Sequence, residues 1–289
     1  MQFNVHEEFW DRPCMGNDQT NHVPRFLILI ISNILKAIFK VFFRMRIENQ
    51  EVMDGFKGKT NGAILVAPHY SYLDVIVMWL SVRPRGWVRL IARESLFYAG
   101  KGFLGEIISR AGAFPIKRNT ADRTALKRAA RMLKNGEWVG MFPEGTRRGG
   151  KGNLKPELHA GAALIARMGK APIIPLGLEN LSKIKRKGER VRFPKVTIRF
   201  GEPVSLDSFN FLPKEDRMDA CAWYTMREAY ALSENIAPTE VDMVDLFPDA
   251  KDYSKVFYDH PIEPFDPSTL PDYDPQAKAA KAEKKQDGE

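Results

Sequence analysis

Cysteine is nearly absent from this chain, with Cys14 and Cys221 the only two in 289 residues. So few thiols exclude a disulfide-stabilised scaffold and a cysteine-rich zinc or iron–sulfur site. We expect both thiols to be reduced, as is usual in the cytosol. Residues 1–25 also lack the short apolar stretch and small-residue cleavage site that are typical of a secretory signal.

Acidic residues are scarce over most of the chain. The net charge is +8, but residues 240–289 hold 13 acidic and 6 basic residues, whereas the preceding part holds 23 acidic and 38 basic. A body this basic predicts a polyanionic partner, which can be nucleic acid, an anionic membrane surface or a phosphorylated substrate. The basic residues are not interleaved with aromatic ones as in nucleic-acid-binding proteins, so we expect no nucleic-acid partner.

A long uninterrupted apolar run is missing as well. Residues 26–43 are apolar at about transmembrane length, but Lys36 and Lys40 interrupt them. On a helix, Asn33 and Arg44 share the face of these lysines. Each lysine deep in a bilayer costs about 2.5–3.5 kcal/mol, a cost that a helix lying in the membrane interface avoids. We therefore expect an interfacial helix, with a buried core helix and a membrane span or re-entrant hairpin as alternatives. The residues expected at the membrane are Phe26, Ile30, Lys36, Lys40 and Phe43.

Strand-like and helix-like patterns alternate along the main part of the chain, residues 48–237. Hydrophobic residues make up 44% of the sequence, which is enough for a sizeable core. This alternation predicts an α/β fold with a layered, mostly parallel central sheet flanked by helices. The strands are predicted at 62–68, 87–92, 113–116, 138–142, 173–178 and 195–200, and the helices at 72–82, 104–110, 121–134, 161–168 and 215–235.

The two ends of the chain differ from this main domain. We treat residues 1–47 as an N-terminal, membrane-associating helical segment. Residues 238–289 form a tail rich in proline and aspartate, and we expect no regular element in it. The tail is either an extended arm wrapped on the body or a disordered segment, and we expect disorder in its last dozen residues.

The sharpest candidate for catalysis is the sequence PHYSYLD, residues 68–74, between a predicted buried strand and a predicted helix. Asp74, in the first helical turn, can hold one ring nitrogen of His69 and leave the other as a base. Such a pair suits the removal of a proton from a substrate hydroxyl. A purely structural interpretation stays open, because Ser71 and Asp74 also form the S-x-x-D pattern of a helix capping box.

A second group of charged residues follows the strand predicted at 138–142. Gly145 lies in the sequence FPEGTRR, which predicts a turn directly after the strand. The turn presents Glu144, Arg147 and Arg148 at the carboxyl end of the strand, where α/β sheets bind ligands. The alternative is a basic surface loop in which Glu144 makes an ordinary ion pair.

Two weaker motifs lie before and after this one. The sequence GAFPIKR, residues 112–118, is a tight turn into an extended stretch that ends in Lys117 and Arg118. Its alternative interpretation is a solvated pair of charges. The sequence APIIPLGL contains Ile174 and Pro175 and could equally be a buried strand with a proline at its edge.

In this order, the four motifs resemble those of the glycerolipid acyltransferases, and most closely the bacterial 1-acylglycerol-3-phosphate acyltransferases. The resemblance covers roughly residues 60–205. A histidine and an aspartate at this spacing are a weak signal alone, but FPEGTR about 70 residues later makes the signal specific. The chain departs from the usual family pattern at Pro68, where asparagine is common, and at Arg148, where serine is common.

The resemblance implies a reaction and a role for each motif. A fatty acyl group would move from a thioester to the free hydroxyl of 1-acylglycerol 3-phosphate, a lysophosphatidic acid, in phospholipid biosynthesis. His69 would be the base and Asp74 the residue that orients it, while Ile174 and Pro175 would lie near the acyl-donor pocket. The residues implied at the substrate phosphate are Lys117, Arg118, Glu144, Gly145, Arg147 and Arg148.

The resemblance also implies the partners of the protein. We expect no bound cofactor and no metal, with acyl-CoA or an acyl carrier protein thioester as co-substrate. The lipid acceptor implies an anionic membrane surface, at the cytoplasmic face of the cell membrane, to which the protein binds in a peripheral or monotopic manner. Two alternatives remain: an acyltransferase for another lyso-lipid or for glycerol 3-phosphate, and a non-enzymatic basic membrane-binding protein.

Overall fold

The computed structural model describes residues 5–17, 22–117, 122–148, 156–184 and 190–276. Seven strands form one sheet at its centre. They are β1 (Arg46–Glu48), β2 (Ile64–Val66), β3 (Val88–Arg93), β4 (Phe114–Ile116), β5 (Trp138–Met141), β6 (Ile173–Glu179) and β7 (Thr197–Phe200). Their spatial order is β1-β7-β6-β2-β5-β3-β4.

The sheet is mostly parallel, as the sequence predicts. Strands β2 to β6 run in one direction, while β1 and β7 run together in the opposite direction. The α/β class and all six predicted strands are confirmed. The additional strand, β1, spans only three residues, which is too short for a periodic pattern to indicate it.

Helices cover both faces of the sheet. They are α1 (Phe26–Phe42), α2 (Tyr72–Ser81), α3 (Phe103–Arg110), α4 (Arg123–Lys134), α5 (Gly161–Gly169), α6 (Arg217–Glu234), α7 (Met243–Leu246) and α8 (Ser254–Asp259). Helices α4, α5 and α6 pack side by side on one face. Right-handed crossovers between parallel strands put α2 and α3 on the other face.

Helix α1 lies on the body with most of its apolar side chains facing outward. Ile28 and Phe39 are buried, but Phe26 is 80% exposed. Phe43, directly after the helix, is buried against the body and not on the outward face where we expect the membrane contact. The ammonium group of Lys36 donates to the carbonyl of Arg83 at 3.0 Å, and burial lowers the pKa of this lysine. The expected face of cations is therefore partly turned toward the protein. The sequence could not predict this, because periodicity predicts which residues share a face but not what that face contacts. No helix in the described ranges has both the length and the hydropathy needed to cross a membrane.

The N-terminal residues before α1 also pack against the body. The buried guanidinium of Arg89, on β3, donates to the carbonyls of Phe9, Trp10 and Arg12. It also pairs with the buried carboxylate of Glu137 at 3.3 Å. Since a buried charge is tolerated only when it is paired and hydrogen-bonded, these carbonyls help to fix the segment on the sheet.

The C-terminal arm, residues 238–276, is built onto the body and contains α7 and α8. The expectation of no regular element there is wrong, because the Asp242 side chain caps α7 and buried aromatic side chains such as Phe257 hold the arm against α6. Farther on, the amide of Tyr273 donates to the carbonyl of Gly58 at 2.8 Å. The arm therefore extends from α6 to the segment that precedes β2. Residues 277–289, for which we expect disorder, lie outside the described residues.

Candidate active site

Two strand ends bring the main motifs together. Strands β2 and β5 are adjacent and parallel, and Val66 lies opposite Met141. His69 and Glu144 each come three residues later, so the register alone places them side by side at the carboxyl edge of the sheet. The backbone amide of His69 donates to Oε2 of Glu144 at 2.8 Å.

The Asp74 carboxylate serves both the helix and the histidine. Ser71 is the N-cap of α2, and together with Asp74 it forms a complete capping box. The same oxygen, Oδ2, accepts from the amides of Ser71 at 2.7 Å and Tyr70 at 2.5 Å and lies 3.1 Å from Nδ1 of His69. The capping box is confirmed, and it does not compete with the contact to His69, because the cap itself fixes the carboxylate beside the imidazole.

The imidazole of His69 is held in one orientation. Its ring stacks on Phe142 with centroids 4.3 Å apart, and only 13% of the side chain is exposed. Asp74 is buried, and its Oδ1 atom has no hydrogen-bond partner within the described ranges. Because Nδ1 faces the carboxylate, the proton of the neutral ring belongs on Nδ1, which leaves Nε2 as the basic nitrogen.

The Glu144 carboxylate is a buried junction of hydrogen bonds. Oε2 accepts from the His69 amide, while Oε1 accepts from the Tyr230 hydroxyl and from Nε of Arg148. Burial, and then the neighbouring Glu144 charge, raise the pKa of Tyr230 above its usual range. The tyrosine thus remains a neutral donor, and each carboxylate oxygen has a partner.

Arg148 is engaged within the protein, although the resemblance implies a role at the substrate phosphate. Its backbone amide donates to the carbonyl of His69 at 2.8 Å. Its side chain donates to Glu144 through Nε at 2.7 Å and to the carbonyl of Leu246, in the C-terminal arm, through Nη2 at 2.8 Å. The guanidinium also lies over the ring of Phe247, 4.7 Å from its centroid.

Arg147 differs from its neighbour. Its guanidinium carbon lies 3.7 Å from the centroid of the exposed Tyr72 ring, at the start of α2. Within the described ranges it makes no hydrogen bond or ion pair. The stack orients the guanidinium beside the strand-end motifs and leaves its donors available to a ligand.

The other implied residues lie in different surroundings. Gly145 has a left-handed φ of 62°, and a Cβ there would come within 3.2 Å of the His159 ring, so the tight turn favours glycine. Lys117 is exposed at the end of β4, with Nζ 3.8 Å from Oε1 of Glu94. Arg118 lies outside the described residues.

Ile174 and Pro175, the residues implied near the acyl-donor pocket, belong to β6 beside β2. They lie opposite Leu65 and Val66, and both are buried in the sheet. Among the described residues, no group of three or more histidine, cysteine, aspartate or glutamate side chains could hold a metal ion.

Sequence reasoning missed Tyr230, Leu246 and Phe247. Each contacts Glu144 or Arg148 from at least 82 residues farther along the chain. For Tyr230, the only signal in the sequence was its place in the helix predicted at 215–235. For the two arm residues the composition offered no signal, because the contacts depend on how the arm folds back.

Comparison with known proteins supports the resemblance to the acyltransferases. The chain has the fold of the crystal structure of the 1-acyl-sn-glycerophosphate acyltransferase PlsC from Thermotoga maritima, with a TM-score of 0.51, 23% identity, and 71% of this chain and 79% of that one covered. It is 29% identical over 163 residues to the 1-acyl-sn-glycerol-3-phosphate acyltransferase of Streptococcus pneumoniae, covering 56% of this chain and 57% of that protein.

A relative of the same name from Bacillus subtilis is 30% identical over 189 residues, covering 65% of this chain and 88% of that protein. A family model described as acyltransferase matches residues 44–179, the segment that contains the His69–Asp74 pair and the Glu144 turn. On this similarity, and with the two motifs joined at one edge of the sheet, the chain belongs to the acyltransferase family.

Proposed function

We propose that this protein transfers a fatty acyl group from an acyl thioester to the free hydroxyl of 1-acylglycerol 3-phosphate, which yields phosphatidic acid. The observation that carries the proposal is the oriented imidazole of His69, with Nδ1 3.1 Å from the Asp74 carboxylate. The names of the Bacillus subtilis and Streptococcus pneumoniae relatives support the same acceptor. Because phosphatidic acid is a phospholipid precursor, we infer a role in phospholipid biosynthesis.

His69 acts as the general base in this mechanism. Nε2 takes the hydroxyl proton as the acceptor oxygen attacks the thioester carbonyl carbon. The new oxygen–carbon bond replaces the carbon–sulfur bond, and the imidazolium returns the proton to the leaving thiolate. Asp74 stabilises the imidazolium during this exchange, and proton transfer of this kind contributes about 10²–10⁴-fold.

The donor is acyl-CoA or an acyl carrier protein thioester. A thioester is already activated toward attack by an oxygen nucleophile, so the proposed step requires neither a covalent enzyme intermediate nor a bound cofactor. Ile174 and Pro175 are the proposed neighbours of the donor pocket, through their place in β6 next to β2.

Arg147 is the proposed ligand of the acceptor phosphate. Its planar guanidinium matches a phosphate bidentately, and stacking on Tyr72 orders it without using its donors. Gly145 gives the turn its shape, and Lys117 and Arg118 are proposed to add positive charge from the end of β4.

Helix α1 is the proposed membrane contact. Its outward side chains, including Phe26, Leu27 and Val41, form an apolar face, and the exposed Lys40 and Arg44 lie at its C-terminal end. Apolar side chains beside basic ones suit the interface of an anionic leaflet, where each well-placed cation adds about 1 kcal/mol. We infer a peripheral or monotopic protein on the cytoplasmic face of the cell membrane.

The acceptor can be tested with the purified protein by following release of free thiol from acyl-CoA. We expect lysophosphatidic acid to react at least about tenfold faster than monoacylglycerol, because the charge-assisted contact to the phosphate is worth roughly 1.5–3 kcal/mol. Glycerol 3-phosphate and a lyso-lipid with another headgroup complete the panel. Equal rates with monoacylglycerol, or no thiol release with any acceptor, would contradict the proposal.

The phosphate ligand can be tested with Arg147→Lys. The substitution keeps the charge but removes the bidentate fork, so we expect the KM for lysophosphatidic acid to rise about tenfold while the KM for acyl-CoA changes less than about twofold. Steady-state kinetics with each substrate varied in turn gives both values. Arg85→Lys, in an exposed pair with Asp54 before β3, is the matched control. An unchanged acceptor KM would refute the assignment.

The membrane contact can be tested with Phe26→Glu. Phe26 is 80% exposed at the first position of α1, where a glutamate is compatible with the helix. Loss of apolar burial and repulsion by anionic lipid should lower the fraction bound to anionic vesicles about tenfold in sedimentation.

Tyr258→Glu is the matched control, because Tyr258 is also an aromatic residue with 80% exposure, on α8. Its vesicle binding should stay close to that of the unmodified protein. If both variants bind equally well, or if both lose binding equally, helix α1 is not the membrane contact.

A further inference from the structure

Arg148 connects three separate parts of the chain at the candidate active site. Its backbone amide bonds to the carbonyl of His69, its Nε bonds to Glu144 and to the Tyr230 hydroxyl, and its Nη2 bonds to the carbonyl of Leu246. The loop after β2, the helix α6 and the C-terminal arm thus meet at one residue, the loop at its backbone and the other two at its side chain.

The surroundings of this guanidinium do not suit a ligand of the acceptor phosphate. Only 17% of the side chain is exposed. It lies between two aromatic rings, 4.7 Å from the centroid of Phe247 and 5.4 Å from that of Tyr230. Nε and Nη2 are directed at acceptors inside the protein, whereas the neighbouring Arg147 has no such partner within the described ranges.

The arm residues that contact Arg148 are held firmly. Leu246 ends α7, and Phe247 is buried against Tyr230 with ring centroids 6.1 Å apart. Farther along the arm, Phe257 packs its ring on Trp223 and Tyr224 of α6, at a place where leucine would keep an apolar contact with the helix. The arm therefore presents the Leu246 carbonyl and the Phe247 ring to Arg148 from a fixed position.

We propose that Arg148 and Phe247 are positioning residues, through which the C-terminal arm holds Glu144 and hence the backbone of His69 in place. Glu144 can bind the His69 amide only while its own carboxylate keeps its orientation, and Arg148 supplies one of the donors that fix it. The arm is in this respect a part of the active site. The kinetic consequence of this inference rests on the proposed acyl transfer.

The positioning role and the phosphate-binding role of Arg148 predict different kinetics. A phosphate ligand that is lost weakens acceptor binding, so the KM for lysophosphatidic acid rises. A positioning residue that is lost misplaces the base, and a displacement of about 1 Å can cost about 10²-fold in turnover. The kcat then falls while the acceptor KM stays nearly constant.

The experiment compares Arg148→Gln and Phe247→Leu with Phe257→Leu. The two leucine variants make the same substitution in the same arm, but only Phe247 contacts Arg148. We expect kcat to fall about 10²-fold in Arg148→Gln and about fivefold in Phe247→Leu, the loss expected for a cation–π contact. Acceptor KM should change less than about threefold in both, and kcat should be nearly unchanged in Phe257→Leu once corrected for the folded fraction.

Hydrogen exchange gives a second readout that does not depend on turnover. The amide of His69 is protected by Glu144, and those of Tyr70 and Ser71 by Asp74. We expect a peptide covering residues 67–71 to exchange about tenfold faster in Arg148→Gln than in the unmodified protein, and no change in Phe257→Leu.

The outcomes separate this inference from the proposed function. A raised acceptor KM with unchanged kcat in Arg148→Gln, or equal effects of the two leucine variants, overturns the positioning role. Unchanged exchange at residues 67–71 in Arg148→Gln overturns it too. If the unmodified protein transfers no acyl group to any acceptor, the proposed function fails, and the exchange comparison alone still decides whether Arg148 positions the backbone of His69.

Discussion

The hydrogen bonds to the buried carboxylate of Glu144 are the interaction on which the rest of the site depends. Removing a carboxylate from water costs several kcal/mol, and three donors to its two oxygens offset that cost. Those donors are the amide of His69, the hydroxyl of Tyr230 and the guanidinium of Arg148, which come from three distant parts of the chain. One carboxylate thus joins two strand ends and a long helix directly, and the C-terminal arm through Arg148.

His69 is consequently fixed from two sides. Glu144 and Arg148 hold its backbone, through the amide and the carbonyl respectively, while Asp74 and the Phe142 ring hold the imidazole. General base catalysis depends on such restraint, because a rate gain from proximity is realised only near one geometry. The mostly parallel sheet supplies the frame, since its strand ends bring together motifs that are about 70 residues apart.

The part of this arrangement that could be predicted from sequence is the part that local patterns determine. Short apolar runs predicted the strands, and the S-x-x-D capping pattern predicted the helix start at which Asp74 contacts His69. The sequence pattern of 26–43 could not predict that Lys36 turns toward the Arg83 carbonyl, because periodicity does not say which face meets the body. The contact of Arg148 with the arm could not be predicted either, since the proline- and aspartate-rich composition left open whether the arm was wrapped on the body or disordered.

The central claim is that His69 is the base for acyl transfer, and His69→Ala tests it most directly. Thiol release from acyl-CoA with lysophosphatidic acid should fall about 10²-fold or more, while circular dichroism and the unfolding midpoint stay close to those of the unmodified protein. His260→Ala, at an arm histidine whose ring lies tilted against that of Phe211, should keep the activity of the unmodified protein. A folded His69→Ala variant that keeps more than about a tenth of the original rate would contradict the account.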